Sequence, residues 1–201
     1  MAISRQHGIT VETVKNVVID SGAVVLDYGL GTEVNLGATR GNNTFVVEQD
    51  IKLIEVDGAR GPMKGHRRII NVRAMITANF IQLSTDILKK ALPGSVSVSL
   101  PAPGATKTHD SITRALDIES GLAGEAGDDY LTNVAIVGEV SGTSNPVVCI
   151  LSNVIADGNL EMNFVEKDEM VLSVQFTAHF SPSTPDTEPW NIRYPKVNIE
   201  S

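Results

Sequence analysis

The stretch that decides the fold is Leu36–Ile81, which reads LGATRGNNTFVVEQDIKLIEVDGARGPMKGHRRIINVRAMITANFI. It contains two strand-like runs, Thr44–Val56 and His66–Gln82, on either side of a glycine-rich connection, Asp57–Gly65. Alternation with period two predicts that the second run is a strand with one buried and one solvated face. Because both runs are longer than the usual strand of a globular protein, we expect a large, curved antiparallel sheet. In the second run the apolar parity is Ile70, Val72, Ala74, Ile76, Ala78 and Phe80, and the polar parity is Arg67, Asn71, Arg73, Thr77 and Asn79.

The composition is that of a globular protein with an aliphatic core. The chain has 201 residues, of which 42% are hydrophobic but only 4% aromatic, and this length can bury a substantial core. Sixteen basic and 24 acidic residues give a net charge of −8, which argues against a phosphate-binding surface as the main feature. The single cysteine, Cys149, excludes an internal disulfide framework and a cysteine-based zinc site.

No apolar run has the length needed to span a bilayer. The first residues, MAISRQHGITVETV, contain no apolar signal core. From these two features we expect a soluble protein that is not exported by a signal peptide and has no membrane partner.

One helix is predicted, following the second long strand. Ser84 is its candidate N-cap, and Pro93-Gly94 ends it. Two later strands stand out: Val147–Ala156 is apolar on both faces, as in a central strand, and Met170–Phe180 alternates. The apolar stripe of the helix is Ile87, Leu88, Ala91 and Leu92.

Three finer features are also predicted. Ser21-Gly22 is a plausible hairpin turn between two short strands. The alternation slips near Leu53-Ile54, which indicates a β-bulge. A strand at Leu160–Phe164 is expected to point Leu160, Met162 and Phe164 inward.

We find no linker that divides the chain. Residues 1–201 therefore form one domain, which is mostly β with one flanking helix. It has an N-terminal arm at residues 1–16, a hairpin loop at 57–65 and a proline-rich C-terminal arm at 181–201.

No pattern for catalysis, metal binding or cofactor binding is present. The four histidines are scattered and none is paired at helical spacing. The run Gly58–Gly65 lacks the phosphate-loop spacing, and a strand follows it where a phosphate loop requires a helix. We therefore predict no catalytic, metal or cofactor-binding residue and no cofactor. Arg60, Lys64, Arg67 and Arg68 form the densest basic cluster of an acidic chain, which favours an acidic partner such as another copy.

The sequence resembles the major tail proteins of long-tailed bacteriophages, which form tail tubes. The resemblance runs in matching order through Leu36–Asn43 (LGATRGNN), Glu55–Gly65 (EVDGARGPMKG), Tyr130–Val140 (YLTNVAIVGEV), Glu166–His179 (EKDEMVLSVQFTAH) and Pro189-Trp190. It implies a tail-tube-type β-sandwich or barrel with one flanking helix that forms hexameric rings. Tube proteins of contractile tails and of type VI secretion share that fold and are the nearest alternatives. A β-sandwich enzyme or a ligand-binding sandwich is the alternative from a different class.

The resemblance also implies partners and a location. Rings of the chain would stack around a tape-measure protein, between a tail terminator and distal tail proteins, in a virion tail assembled in the host cytoplasm. DNA would pass through the tube without specific binding. If each of six subunits gave four strands, roughly 24 strands at about 4.8 Å spacing would enclose a backbone diameter of roughly 37 Å. A duplex about 20 Å wide could pass.

Two sets of residues follow as candidates for assembly. The solvated faces of the long strands are expected to line the lumen, and the hairpin loop and C-terminal arm are expected to contact the next ring. The lumen candidates are Glu48, Asp50, Asn71, Thr77, Asn79, Ser173, Gln175 and Thr177; the inter-ring candidates are Asp57, Gly58, Arg60, Gly61, Lys64, Trp190 and Tyr194. Phe80, Val72, Leu172, Val174 and Phe176 are expected to be buried together.

Overall fold

The chain folds as a curved antiparallel β-sheet with one short helix and a separate two-stranded ribbon, in a computed structural model that describes residues 13–101, 108–114, 130–157, 160–162, 164 and 166–196. The predicted mostly β fold with one flanking helix is confirmed. Most of the proposed N-terminal arm lies outside the described residues. The elements are a 3-10 turn at Val14–Asn16, the strands β1 (Val18–Leu26), β2 (Val34–Asn35), β3 (Thr44–Leu53), β4 (Arg67–Phe80), β5 (Ser95–Pro101), β6 (Thr108–Arg114), β7 (Leu131–Val140), β8 (Val147–Ala156), β9 (Leu172–Ala178) and β10 (Trp190–Arg193), and the helix α1 (Thr85–Ala91).

The main sheet has the strand order β2-β1-β7-β8-β9-β4-β3, and β10 pairs with β8 beside that path. Strand β9 pairs with only the last residues of β8, Val154–Ala156. Strand β10 therefore occupies the remaining edge of β8, opposite Val148–Leu151. Since β8 lies in the middle of the sheet, the prediction of a central strand is confirmed.

The loop between β2 and β3 links the two ends of the sheet. The Leu36 amide donates to the Val24 carbonyl of β1 at 2.9 Å, and the Arg40 amide donates to the Asn79 carbonyl of β4 at 2.9 Å. Thr39 forms an isolated bridge to Phe80. These bonds hold β1 and β4 against one core, so the sheet curls towards a barrel.

The core lies inside this curl and joins residues from β1, β4, α1, β7, β8 and β9. Phe80, Leu172, Val174 and Phe176 are all at most 3% exposed, as predicted. Val72 is only half-buried; its inclusion in the core was wrong, because the pairing of β9 with β4 begins beyond it, at Met75.

The helix forms as predicted from its capping signal. The Ser84 hydroxyl accepts a hydrogen bond from the Ile87 amide at 3.3 Å, which is the usual role of a serine N-cap. Ile87 and Ala91 are buried against the sheet. The ribbon of β5 and β6 packs beside α1, where the Asp110 carboxylate accepts bonds from Thr85 and Ser99 at 2.8 Å each.

Two predictions of local structure, a turn and the position of a bulge, were wrong. Gly22, at φ +73°, lies inside β1, where the register with β7 is interrupted between Ile19 and Ala23, instead of forming a hairpin turn. The bulge in the long hairpin lies between Asp50 and Ile51, not near Leu53-Ile54. Its extra residue is on β4, since Asp50 and Ile51 face Asn71 and Ile69.

The described residues of the predicted strand at Leu160–Phe164 are not in a strand. Leu160 and Met162 do pack against the core. Phe164 is 84% exposed, so the prediction that it points inward was wrong.

Candidate assembly surfaces

Strands β3, β4 and β9 share a polar face on the side opposite the core. Antiparallel pairing places directly opposed residues on the same face. Asp50 of β3 pairs with Asn71 of β4, and Thr77 of β4 pairs with Gln175 of β9. Alternate residues of all three strands therefore lie on the same face of the sheet. This face (the polar face) comprises Thr44, Val46, Glu48 and Asp50 of β3, Asn71, Arg73, Met75, Thr77 and Asn79 of β4, and Ser173, Gln175 and Thr177 of β9.

All eight predicted lumen residues are therefore brought together on one face. Glu48, Asp50, Asn71 and Ser173 are exposed, and Thr77, Asn79 and Gln175 are half-buried. Thr177 is only 6% exposed, so the prediction that it lies on a solvated surface was wrong. It sits in the inner strand of the three, between β4 and β8, where neighbouring side chains cover it.

The polar face does not concentrate the acidity of the chain. Glu48 lies opposite Arg73 in the register, and the Asn71 amide donates to the Asp50 carboxylate at 3.2 Å. Beyond the bulge, Lys52 and Arg68 form the next pair on the same side. Fixed charges of both signs thus lie on this face, together with side-chain amides and hydroxyls and the apolar Val46 and Met75.

The far half of the β3–β4 hairpin extends past the rest of the sheet. Strand β9 pairs with β4 only over Met75–Phe80. In the described part of the chain, Arg67–Arg73 pair with β3 alone. The burial pattern of β4 changes at the same point, from exposed on both faces to alternately buried. The alternation read from the sequence therefore holds for the second half of β4, which meets the core, whereas the bulge shifts it by one residue in the first half.

The projecting part, residues 52–68 (the hairpin end), is unusual in exposing large apolar side chains. Ile69 and Ile70 beside it are 55% and 65% exposed, and Leu53 is 51% exposed. Such a cluster on one projection is typical of an interaction site. Ile70 has the parity predicted for the buried face of its strand, and for this residue the prediction was wrong. The other exposed members are Ile54, Val56 and Met63.

The hairpin end is also basic. Lys52, Arg60, Lys64, Arg67 and Arg68 outnumber Glu55 and Asp57. None of these cations lies within ion-pair distance of a carboxylate among the described residues. The cluster therefore presents its charge to a partner or to solvent.

The hairpin end is held together by a few backbone hydrogen bonds. The Ile54 amide donates to the His66 carbonyl at 2.8 Å, and the Ala59 amide donates to the Val56 carbonyl at 3.1 Å. Gly58 and Gly65 have φ of +85° and +89°, which glycine adopts without strain. The tip encloses a shallow cavity of about 430 Å³. Its lining includes Leu53, Ile54, Val56, Ala59, Pro62 and His66.

The C-terminal arm is partly incorporated into its own subunit. Strand β10 pairs Trp190 with Leu151 of β8. The Trp190 ring is half-buried and lies 6.3 Å from the Phe45 ring, and its indole nitrogen donates to Glu188 at 3.0 Å. Trp190 is thus packed on its own subunit, because the open edge of β8 takes up the segment, and its contact with the next ring stays a prediction. Tyr194 is 51% exposed and stays a candidate for contact between copies.

One exposed ionic cluster joins two loops. Arg40 lies 2.9 Å from Asp168 and also contacts Glu169. The guanidinium group lowers the pKa of the Asp168 carboxyl below its ordinary value, mainly through the hydrogen bond. This cluster ties the β2–β3 loop to the segment that precedes β9.

The free cysteine of the chain is poorly suited to act as a nucleophile. Cys149 is a half-buried free cysteine, and burial raises the pKa of its thiol, which lowers the fraction of the nucleophilic thiolate. Within the described ranges, no three His, Cys, Asp or Glu side chains are grouped so that they could hold a metal ion. Over the same residues, no helix has both the length and the apolar character to cross a membrane.

The chain was compared with known proteins by family, by sequence and by structure. No family model matches it, and no curated protein matches it by sequence. One similar solved structure is from the virion of a native gene transfer agent particle, with a TM-score of 0.44, 8% identity and coverage of 87% of this chain and 96% of the other. Another is from the tail of an empty gene transfer agent particle with C6 symmetry, with a TM-score of 0.39, 9% identity and coverage of 80% and 92%.

Proposed function

We propose that this chain is a structural subunit of a phage-type tail tube, in which copies form hexameric rings that stack around a tape-measure protein. The tube sits in the virion tail, is assembled in the host cytoplasm, and is bounded by terminator and distal tail proteins. The protein catalyses no reaction, and DNA passes through the tube without specific binding. The resemblance of the sequence to major tail proteins supports this proposal.

The observation that carries the proposal is the projecting hairpin. Arg67–Arg73 of β4 have one strand partner among the described residues, and open strand edges are sites where another chain can pair. The same segment exposes Ile69 and Ile70. A hairpin with an open edge and an apolar surface is suited to contact with another copy.

The polar face supplies a surface suited to a lumen. It extends over three strands, and its two carboxylates, Glu48 and Asp50, are set among amides, hydroxyls and Arg73. Mixed charge on this face favours passage of DNA over retention, because a run of cations would bind phosphates. Lining of the lumen by Glu48, Asp50, Asn71, Thr77, Asn79, Ser173 and Gln175 is part of the proposal.

Negative-stain electron microscopy of the purified protein tests the proposal. We expect rings or tubes of uniform diameter with a central channel, formed slowly or after addition of an initiator. Uniform small particles at every concentration and with every tail initiator would refute it.

A deletion tests the part assigned to the hairpin loop. Removing Gly58–Lys64 leaves a short turn between Ile54 and His66, whose backbone bond closes the hairpin. We expect the variant to fold, by circular dichroism and melting, but to form no tubes. Normal tubes from this variant would show that the loop, with Asp57, Gly58, Arg60, Gly61 and Lys64, is not the contact between rings.

A further inference from the structure

Two surfaces of opposite charge lie at opposite ends of β4. The hairpin end has five cations and two carboxylates, a net charge of +3, whereas the whole chain carries −8. The remaining residues therefore sum to −11. A separation of charge on this scale can orient two copies of one chain relative to each other.

The acidic surface is the described part of the segment that precedes β9, residues 160–162, 164 and 166–169 (the acidic loop). It holds four carboxylates, those of Glu161, Glu166, Asp168 and Glu169, and one cation, Lys167. Arg40 pairs with two of the carboxylates, which leaves a net charge of −2 for the loop and Arg40 together. Because the Arg40 amide binds the Asn79 carbonyl, this loop lies near the C-terminal end of β4.

Phe164 projects from the acidic loop. At 84% exposure it is the most exposed large hydrophobic side chain of the described residues. A phenylalanine in this state loses the hydrophobic stabilisation that burial would give, and aromatic side chains often anchor protein interfaces. The sequence offered no sign of this, since the parity of its segment indicated an inward position.

The two surfaces cannot meet within one subunit. Twelve residues separate Arg67 from Asn79 along β4, which is about 40 Å at roughly 3.3 Å per residue. We propose that the acidic loop of one copy docks on the hairpin end of the next copy, with Phe164 in the cavity lined by Leu53, Ile54 and Val56. This inference rests on the proposed function and names the surface that receives the hairpin.

The contact has the directionality that a stack of rings needs. Each copy carries the acidic loop with its anchor, Phe164, at one end and the hairpin end, which is the receptor for that anchor, at the other. The interface is therefore heterologous and repeats without closing on itself. Arg60 lines the cavity, and Lys64 lies in the same hairpin end; in the proposed contact both cations face the carboxylates of the docked loop. Added salt should weaken the contact, because these charges are exposed and are screened within about 10 Å at 0.1 M.

Complementation between two variants tests the proposal. Phe164→Ala removes the anchor but keeps the receptor, and Arg60→Glu with Lys64→Glu alters the receptor but keeps the anchor. Sedimentation velocity is measured for each variant alone, for their mixture and for the wild type, with Val98→Ala as a control. Val98 is 56% exposed on β5 and belongs to neither surface. Circular dichroism and melting establish that every variant is folded.

We expect each interface variant alone to associate at least about 30-fold more weakly than the wild type, as for an interface hot spot. The mixture should form 1:1 dimers, because one intact receptor meets one intact anchor, and Val98→Ala should behave as the wild type. Wild-type association by Phe164→Ala, or a mixture without dimers, would overturn this inference and leave the tube proposal standing. A wild-type chain that never associates, alone or with a tail initiator, would overturn both.

Discussion

Replacing Phe176 with alanine removes the largest side chain from the centre of β9. Phe176 is 1% exposed and lies between Ile76 of β4 and Ala156 of β8, its partners in the register. All three residues belong to the main core. Because strands flank it on both sides, the surrounding backbone cannot collapse easily into the space that the substitution leaves.

The expected loss follows from this burial. A buried Phe→Ala substitution costs about 3–5 kcal/mol of the free energy of unfolding, through lost transfer energy and the cavity that is left. For a chain of this size each kcal/mol lowers Tm by roughly 2–4 °C. The melting temperature should therefore fall by roughly 6–20 °C, as followed by circular dichroism.

Phe164→Ala is the matched control, because the same substitution is made on a side chain that is 84% exposed. Its unfolding free energy should change by no more than about 0.5 kcal/mol, as for most surface substitutions. A Tm for Phe176→Ala within about 2 °C of the wild type, or equal losses for the two variants, would refute the assignment of the core.

Three further substitutions test local features. Gly22→Ala should lower the unfolding free energy by about 1–3 kcal/mol in denaturant titrations. The reason is that Gly22 has φ +73° and that the new Cβ would lie 2.6 Å from Ile136 Cγ2. An unchanged denaturation midpoint would contradict this. Trp190→Ala should cost the monomer about 1–3 kcal/mol, less than a fully buried aromatic, and an effect confined to assembly would contradict the packing of β10 on its own subunit. Arg40→Met should destabilise the protein near neutral pH, because Arg40 lowers the pKa of Asp168 from 3.8. A carboxyl with a lowered pKa in the folded state stabilises above its unfolded pKa and loses this effect as pH falls through the folded value. The difference between the two melting temperatures should therefore begin to shrink as pH falls below 3.8; a difference that stays constant or grows in acid would refute the pairing.

The sequence alone determined the elements with strong local signals. The alternation of Leu172–Ala178 placed Phe176 in the core, and Ser84 with Pro93-Gly94 bounded the helix, because side-chain periodicity and capping depend on neighbouring residues. The parity of β3, β4 and β9 also grouped the polar face correctly. Thr177 is the exception, since its burial depends on neighbouring strands and not on its own parity.

Only the tertiary structure decided which of the apolar side chains are buried, because burial depends on which strands lie side by side. Ile70 and Phe80 have the same parity in the sequence, yet Ile70 is 65% exposed and Phe80 is fully buried, because Ile70 is the extra residue of the bulge and lies in the half of β4 that β9 does not pair. Trp190 lies in a proline-rich segment with the appearance of a free arm, yet the open edge of β8 binds it. Phe164 falls on the apolar side of the sequence alternation, yet it lies in a loop outside the core. Burial is a property of long-range strand pairing, and the local pattern shows which faces could be buried but not which part of a face meets a neighbour.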